Sequence, residues 1–421
     1  MSDKNQTSML LPVFLTVFID LVGLGIIIPI IPDLILDFRH KNDLLAGIGI
    51  DERYIILGFL LSSFPIAQFF GAPILGALSD RFGRKPILII SLIGTLLGYI
   101  VFAIGIAEQD IYILFASRML DGFTGGNIAI IMSSISDVSD VKTKTKNFGL
   151  VGMAFGLGFI LGPYIGGKFS KPEFANWFND LTGLHVSNLS MPFWFAALLC
   201  TLNILFVIYM FRETLIGRRH TPISLTTGFK NIYKAFKMPN LRTLMIVSFL
   251  FILGFNFYTQ FFSPYVMKKF NWDIENVGDF FAFIGLCSAL GQGFIVRRFS
   301  GKVAPQKILN ISLLVMAAGI FCQILPEPGN DYQLFLAVPF IALSQGFSTP
   351  NMNTLISMQA DAKTQGEIFG INQSIQSLGM AIPGIIAGYL STYSGMLPII
   401  TATVVILLGW AVFKFTYKAV K

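Results

Sequence analysis

Charge is what this chain has least of. Asp, Glu, Lys and Arg together supply 13% of its 421 residues, roughly half the ~25% usual for a soluble domain. That excludes a water-facing surface over most of the chain, and counting soluble domains by length does not apply. Histidine is also scarce: His40, His185 and His220 all fall in segments between apolar runs. No Ser-His-Asp or metal-ligand grouping stands out, so nothing points to an enzyme. Cys200, Cys287 and Cys322 lie inside apolar runs, where an odd number of cysteines implies neither a disulfide nor a metal site. Residues 1–8 contain no A-x-A cleavage pattern, and the apolar run that follows is too long for a signal peptide and is expected to be retained.

What remains is apolar. Hydrophobic residues make up 54% of the chain and the mean hydropathy is +0.70. Twelve apolar runs cover 10–35, 54–76, 86–106, 111–136, 147–169, 192–211, 241–266, 276–296, 306–325, 332–356, 367–391 and 395–416. Each approaches the ~20 residues that cross a bilayer. The reading is an all-α membrane protein with twelve transmembrane helices, in a first bundle over 1–211 and a second over 241–421. A cytoplasmic linker over 212–240 joins them.

The net charge of +7 could suggest a nucleic-acid partner. The basic residues, however, cluster in alternate short loops: Arg81, Arg84 and Lys85, then Lys142, Lys144 and Lys146, then the linker from Arg212 to Arg242, then Arg297, Arg298, Lys302 and Lys307. The positive-inside rule reads that pattern as orientation, with both termini cytoplasmic in an inner or plasma membrane. In the linker, Leu225, Phe229, Ile232, Tyr233 and Phe236 recur at helical spacing opposite Lys230, Lys234 and Lys237. This predicts an amphipathic helix on the membrane surface, attracted to anionic lipid; a solvated linker helix fits the same spacing.

Between the second and third runs lies Gly76-Ala77-Leu78-Ser79-Asp80-Arg81-Phe82-Gly83-Arg84-Lys85-Pro86. The glycines are expected to let two helix ends pack closely. Asp80 ends a helix, where the dipole disfavours a carboxylate, so it needs a partner. This loop resembles the one between spans two and three of the major facilitator superfamily, with Gly76, Asp80, Arg81, Gly83, Arg84 and Lys85 at its strong positions. The resemblance implies two six-span pseudo-repeats, with substrate bound between the halves near mid-membrane. An internal repeat agrees: Gly149, Gly158 and Gly167 recur as Gly370, Gly379 and Gly388. Asp137 is a candidate partner for Arg84 or Arg81, and Asp80 for the start of span eleven around Gly366-Glu367; both contacts would gate the cytoplasmic side.

Span five carries Gly158, Gly162, Pro163, Gly166 and Gly167. Physically, proline kinks a helix and small residues let neighbours approach. The string resembles the span-five motif of the antiporter branch, chiefly drug:proton exporters. Gly162 to Lys168 also reads as the start of a phosphate-binding loop, but Phe169 stands where Ser or Thr should bind magnesium, so nucleotide is excluded. The proton gradient is the expected energy source, with no cofactor.

Asp20 lies about ten residues into span one, roughly 15 Å deep. A carboxylate there costs at least about 2.5–3.5 kcal/mol, and gaining a proton relieves that cost. The surrounding Asp20-Leu21-Val22-Gly23 resembles tetracycline-efflux-like exporters, which implies a proton-carrying role. Arg118 is the sole base inside a span and must find an anion; a structural pairing with Asp20 is the alternative to coupling. Asp121, three residues on, shares its helix face and is placed to neutralise Arg118 locally, which weakens a direct Asp20–Arg118 switch and leaves Asp121 as a second proton candidate. Neutral polar residues able to line a cavity are Gln68, Asn127, Asn256, Gln260, Gln345, Asn372 and Gln376, with Phe255, Phe257, Tyr258, Phe261 and Phe262 beside the second-half members; each of these aromatics is individually expected to pack against helix or lipid. Asp279 and Glu367 near span ends are expected to be solvated. The expected function is proton-coupled export of a small amphipathic or lipophilic organic compound by a monomer. The alternative is proton-coupled transport of a polar metabolite such as a siderophore or sugar derivative.

Overall fold

In hydrocarbon, backbone N–H and C=O groups must find partners within their own segment, so apolar runs of this length become helices. The computed structural model describes all residues except 1–2, 39–43, 139–143, 184–185, 216–225, 238, 300–301, 360–364 and 418–421. Its helices are α1 (Asp3–Leu36), α2 (Ile50–Phe82), α3 (Arg84–Ala107), α4 (Ile111–Thr124), α5 (Ile128–Val138), α6 (Lys144–Phe169), α7 (Pro172–Thr182), α8 (Met191–Met210), α9 (Thr227–Lys237), α10 (Pro239–Phe270), α11 (Ile274–Leu290), α12 (Arg297–Phe299), α13 (Pro305–Cys322), α14 (Gln333–Ser357), α15 (Gln365–Tyr393) and α16 (Leu397–Thr416). All twelve apolar runs are helical and no strand occurs among the described residues.

Eight of the described helices are long and apolar enough to cross a membrane. Polar residues explain part of the shortfall, since α14 carries Gln345, Asn351 and Asn353, and α15 carries Asn372, Gln373 and Gln376. Two runs expected to be continuous change their winding. The fourth breaks at a 3-10 turn over Gly125–Asn127 between α4 and α5, where adjacent glycines weaken the α-helix. The eighth continues beyond α11 as a π-turn over Gly291–Val296, again opening on glycine. Helix starts follow ordinary rules: Asp110 caps α4 by accepting from the Tyr112 and Ile113 amides, and proline stands in the first turn of α7, α8, α13 and α16.

The chain forms two compact units. The first comprises Met1–Ala46, Ser63–Thr226 and Ile274–Ala282. In it α1 packs on α6 and α8, and α3 packs on α4 and α8. Its core includes Ile26, Ile30 and Ile31 and the stacked Phe102–Phe193 pair, 4.3 Å between ring centres. The second comprises Gly47–Ser62, Thr227–Asp273 and Phe283–Lys421. There α10 packs on α15 and α16, α13 on α14 and α16, and α9 lies on α10 and α15. Phe257, Tyr258, Phe261 and Phe262 are all 2% exposed or less, so these aromatics fill the core of the unit rather than line an open cavity.

Candidate functional site

The membrane-depth charges of the first unit gather on α1 and α4, with a neutral amide from the break after α4 beside them. Asn127, the last residue of the 3-10 turn, donates from Nδ2 to Asp20 Oδ2 at 2.6 Å. The 3-10 winding over Gly125–Asn127 advances about 120° per residue against about 100° in an α-helix, which rotates the Asn127 side chain relative to an unbroken helix. The other carboxylate oxygen, Oδ1, is buried with no hydrogen-bond partner among the described residues. Arg118 does not reach Asp20 in this arrangement; its partner is Asp121, with Nη1 3.1 Å from Oδ2. Both are 5% exposed. The Arg118 guanidinium also stands 4.5 Å above the Phe64 ring, an attraction strengthened by desolvation. Thus one buried acid is neutralised by a base, while the other keeps an oxygen free for a proton.

The span-five glycines act on the same place. A Cβ at Gly158 would come within 2.5 Å of Leu21 Cβ, one at Gly162 within 2.6 Å of Gly25 Cα, and one at Gly166 within 2.6 Å of the Ile26 carbonyl. The stripe therefore seats α6 against α1 from Leu21 to Ile26, beginning one residue past Asp20. Gly167 and the Pro163 carbonyl face α11, with the Gly278 Cβ position 2.7 Å from that carbonyl, while the Pro163 ring stays against α1, its Cδ 2.9 Å from the Gly25 Cβ position. Beyond that contact Lys168 pairs with Glu275 at 2.5 Å and Asp279 at 3.3 Å, and Lys171 with Glu275 at 2.8 Å. Asp279 is exposed, as expected near a span end, and is also an ion-pair partner. The side chain of Glu367 lies outside the described residues.

At the Gly76–Pro86 loop, Arg84 is 5% exposed and binds two acids, Asp80 at 2.6 Å and Asp137 at 3.1 Å, with Ser79 Oγ at 2.7 Å. Arg81 lies over the Phe82 ring at 5.2 Å, and Lys85 donates to the Ile208 carbonyl at 2.6 Å. Sequence reasoning missed Glu213. Its carboxylate accepts from the amides of Arg84 at 2.9 Å and Lys85 at 3.1 Å, the free N–H groups opening α3. Partial burial alone would raise its pKa, but these amides and those of Thr214 and Leu215 hold it below the usual carboxylate range. An acid just past a span end, far from α3 in sequence, carries no local signal. Gly83 has φ +111° and no room beside Glu213, so glycine is required there. Gly76 corrects the expectation of close packing: a Cβ there would meet nothing within 4 Å.

The remaining polar candidates divide between the units. Gln68 donates to the Gly125 carbonyl at 3.0 Å, bracing the turn that presents Asn127. In the second unit Gln260 donates to the Met380 carbonyl at 2.9 Å, leaving its own oxygen unpaired, and Asn256 donates to its own helix at Ile252. Asn372 is buried and accepts from Ser248 at 3.1 Å, while Gln345 and Gln376 are half-buried. Among the described residues no group of three or more His, Cys, Asp or Glu is arranged to hold a metal ion.

The family described as Major Facilitator Superfamily matches residues 13–384. The tetracycline resistance protein, class C, of Escherichia coli is 28% identical over 395 residues, covering 92% of both chains. The class B protein of the same organism is 30% identical over 361 residues, covering 85% of this chain and 82% of its own. Among solved structures, the human organic anion transporter MFSD10 (TETRAN) superposes with a TM-score of 0.74 at 21% identity, covering 98% of this chain and 100% of that one.

Proposed function

The chain belongs to the major facilitator superfamily, and from that premise we propose that it expels a small amphipathic or lipophilic organic compound in exchange for protons. The family makes it a multi-pass membrane transporter of small molecules, not an enzyme. The observation that carries the finer reading is the state of Asp20: within a span, held by Asn127 on one oxygen and open on the other. Desolvation makes the neutral form attractive there, so protonation and release accompany any change in access. Asp121, already paired with Arg118, is the secondary candidate.

Two further features support export. The antiporter-type stripe Gly158, Gly162 and Gly166 grips α1 beside Asp20, so movement of α6 is felt at the carboxylate. The relatives are named as tetracycline resistance proteins, which makes tetracycline the first probe. The basic loops support an inner-membrane orientation with cytoplasmic termini, and a single chain works by alternating access. The test uses everted membrane vesicles with an acid interior. Tetracycline or a lipophilic dye should accumulate, and Asp20→Asn should reduce accumulation to the level of vesicles without the protein while the variant stays folded. Gradient-driven accumulation that persists in Asp20→Asn sinks the scheme.

A further inference from the structure

We propose that the groove where α9 meets α10 and α15 binds one anionic phospholipid, with an acyl chain among the apolar side chains and the phosphate on Arg242. The groove is lined by Ile232 and Phe236 of α9, Met245 and Ile246 of α10, and Leu378 of α15, with Arg242 as its charged member. It encloses about 110 Å³. That is well below the ~300–1,000 Å³ of sites that enclose a drug-sized molecule, so the groove is too small to enclose a transported compound of that size.

Two observations name the occupant. The first is charge. Lys230, Lys237 and Arg242 are exposed, and no Asp or Glu occurs anywhere between Glu213 and Asp273, so the α9 and α10 walls of the groove carry only positive charge. The second is the outer face of α9. Asn231 fastens the helix by donating to Ser374 at 3.2 Å, and Ile232 turns into the groove. Phe229 and Tyr233, at helical spacing, nevertheless remain more than half exposed. Aromatics exposed on a lysine-bearing helix that is pinned to a membrane-spanning unit are the pattern of a helix lying in the lipid interface. The groove then opens where acyl chains end at headgroups. The spacing in the sequence predicts attraction of α9 to an anionic surface; the structure adds a discrete site and a specific arginine. This rests on the membrane reading and is independent of what is transported.

The test uses the full-length protein equilibrated with vesicles of equal phosphatidylglycerol and phosphatidylethanolamine of matched chains. Retained lipid is then counted by native mass spectrometry in mild detergent. One phosphatidylglycerol should be retained in preference to phosphatidylethanolamine. Arg242→Gln should lower its retention about fivefold, the effect of one cation near the surface. Ile246→Trp, which fills the groove, should lower retention of both lipids. Lys307→Gln, at the first turn of α13, should change neither. Equal retention of the two lipids overturns the proposal, as does no retained lipid, or a Lys307→Gln effect as large as that of Arg242→Gln. Arg242 is exposed, so its variant decides the matter even if Ile246→Trp does not fold.

Discussion

Arg118 stays buried because Asp121 stands one turn away. Removing one partner of a buried pair leaves an uncompensated charge, at a cost of about 3–5 kcal/mol. Asp121→Ala should therefore lower the midpoint of thermal unfolding by several degrees. Replacing both partners with apolar residues, Arg118→Met with Asp121→Leu, should recover most of that loss in a double-mutant cycle. If the single and double variants unfold alike, the pair is not what holds Arg118 in place. Glu213 makes a second residue-scale prediction, with its sign set by its amide partners. Its folded pKa is depressed, so it contributes stability that is present above its ordinary value of 4.5 and lost as pH falls through the lower folded value. Unfolding followed downward from pH 5 should show wild type losing stability that Glu213→Gln never had; parallel curves for the two would remove the capping role. Asp20, Arg118 and Asp121 were legible in the sequence because a charge inside an apolar run is conspicuous. The i,i+3 spacing also offered Asp121 as a local partner for Arg118; choosing it over Asp20 depends on how far α1 stands from α4, which the sequence does not give.

Glycines that look alike in the sequence do different work in the helices. Gly162 faces Gly25 with no space for a side chain, Gly83 holds φ +111°, and Gly76 has open space around it. Gly162→Ala should cost about 1–3 kcal/mol as overpacking and displace α6 from α1 beside Asp20. Gly83→Ala forces an alanine into a backbone region close to glycine-only, about 1–3 kcal/mol. Gly76→Ala, inside α2, should be neutral or stabilising by up to about 1 kcal/mol. Thermal midpoints of the three variants check this order, and a Gly76→Ala loss as large as that of Gly162→Ala would show that space is not the deciding factor. Motif matching marks all three positions; only packing separates them. The same holds for element boundaries. Twelve helical runs could be read from apolar length, whereas the turn at Gly125–Asn127 could not. A Gly-Gly pair in a membrane helix is compatible with close packing as well as with a break, and here it serves the break that delivers Asn127 to Asp20.

At the scale of the whole chain, fold class was the most legible property, because it follows from low charge and long apolar runs and needs no contact to be known. Long-range fastenings such as Glu213 on α3 were invisible, since they join segments more than a hundred residues apart. Orientation sits between these cases: loop charge argues for cytoplasmic termini, and the cysteines offer a direct check on the unmodified chain. Cys200 is buried, Cys287 is intermediate and Cys322 is exposed at the last residue of α13. α13 starts just past Arg297, Arg298 and Lys302, so cytoplasmic placement of those charges puts its far end outside. A membrane-impermeant maleimide added to intact cells should therefore label Cys322 and leave Cys200 untouched, and Cys322→Ser should abolish the signal. Labelling that appears only after the cells are permeabilised would invert the chain. It would move the Gly76–Pro86 loop to the outer face and reverse the direction in which Asp20 loads its proton.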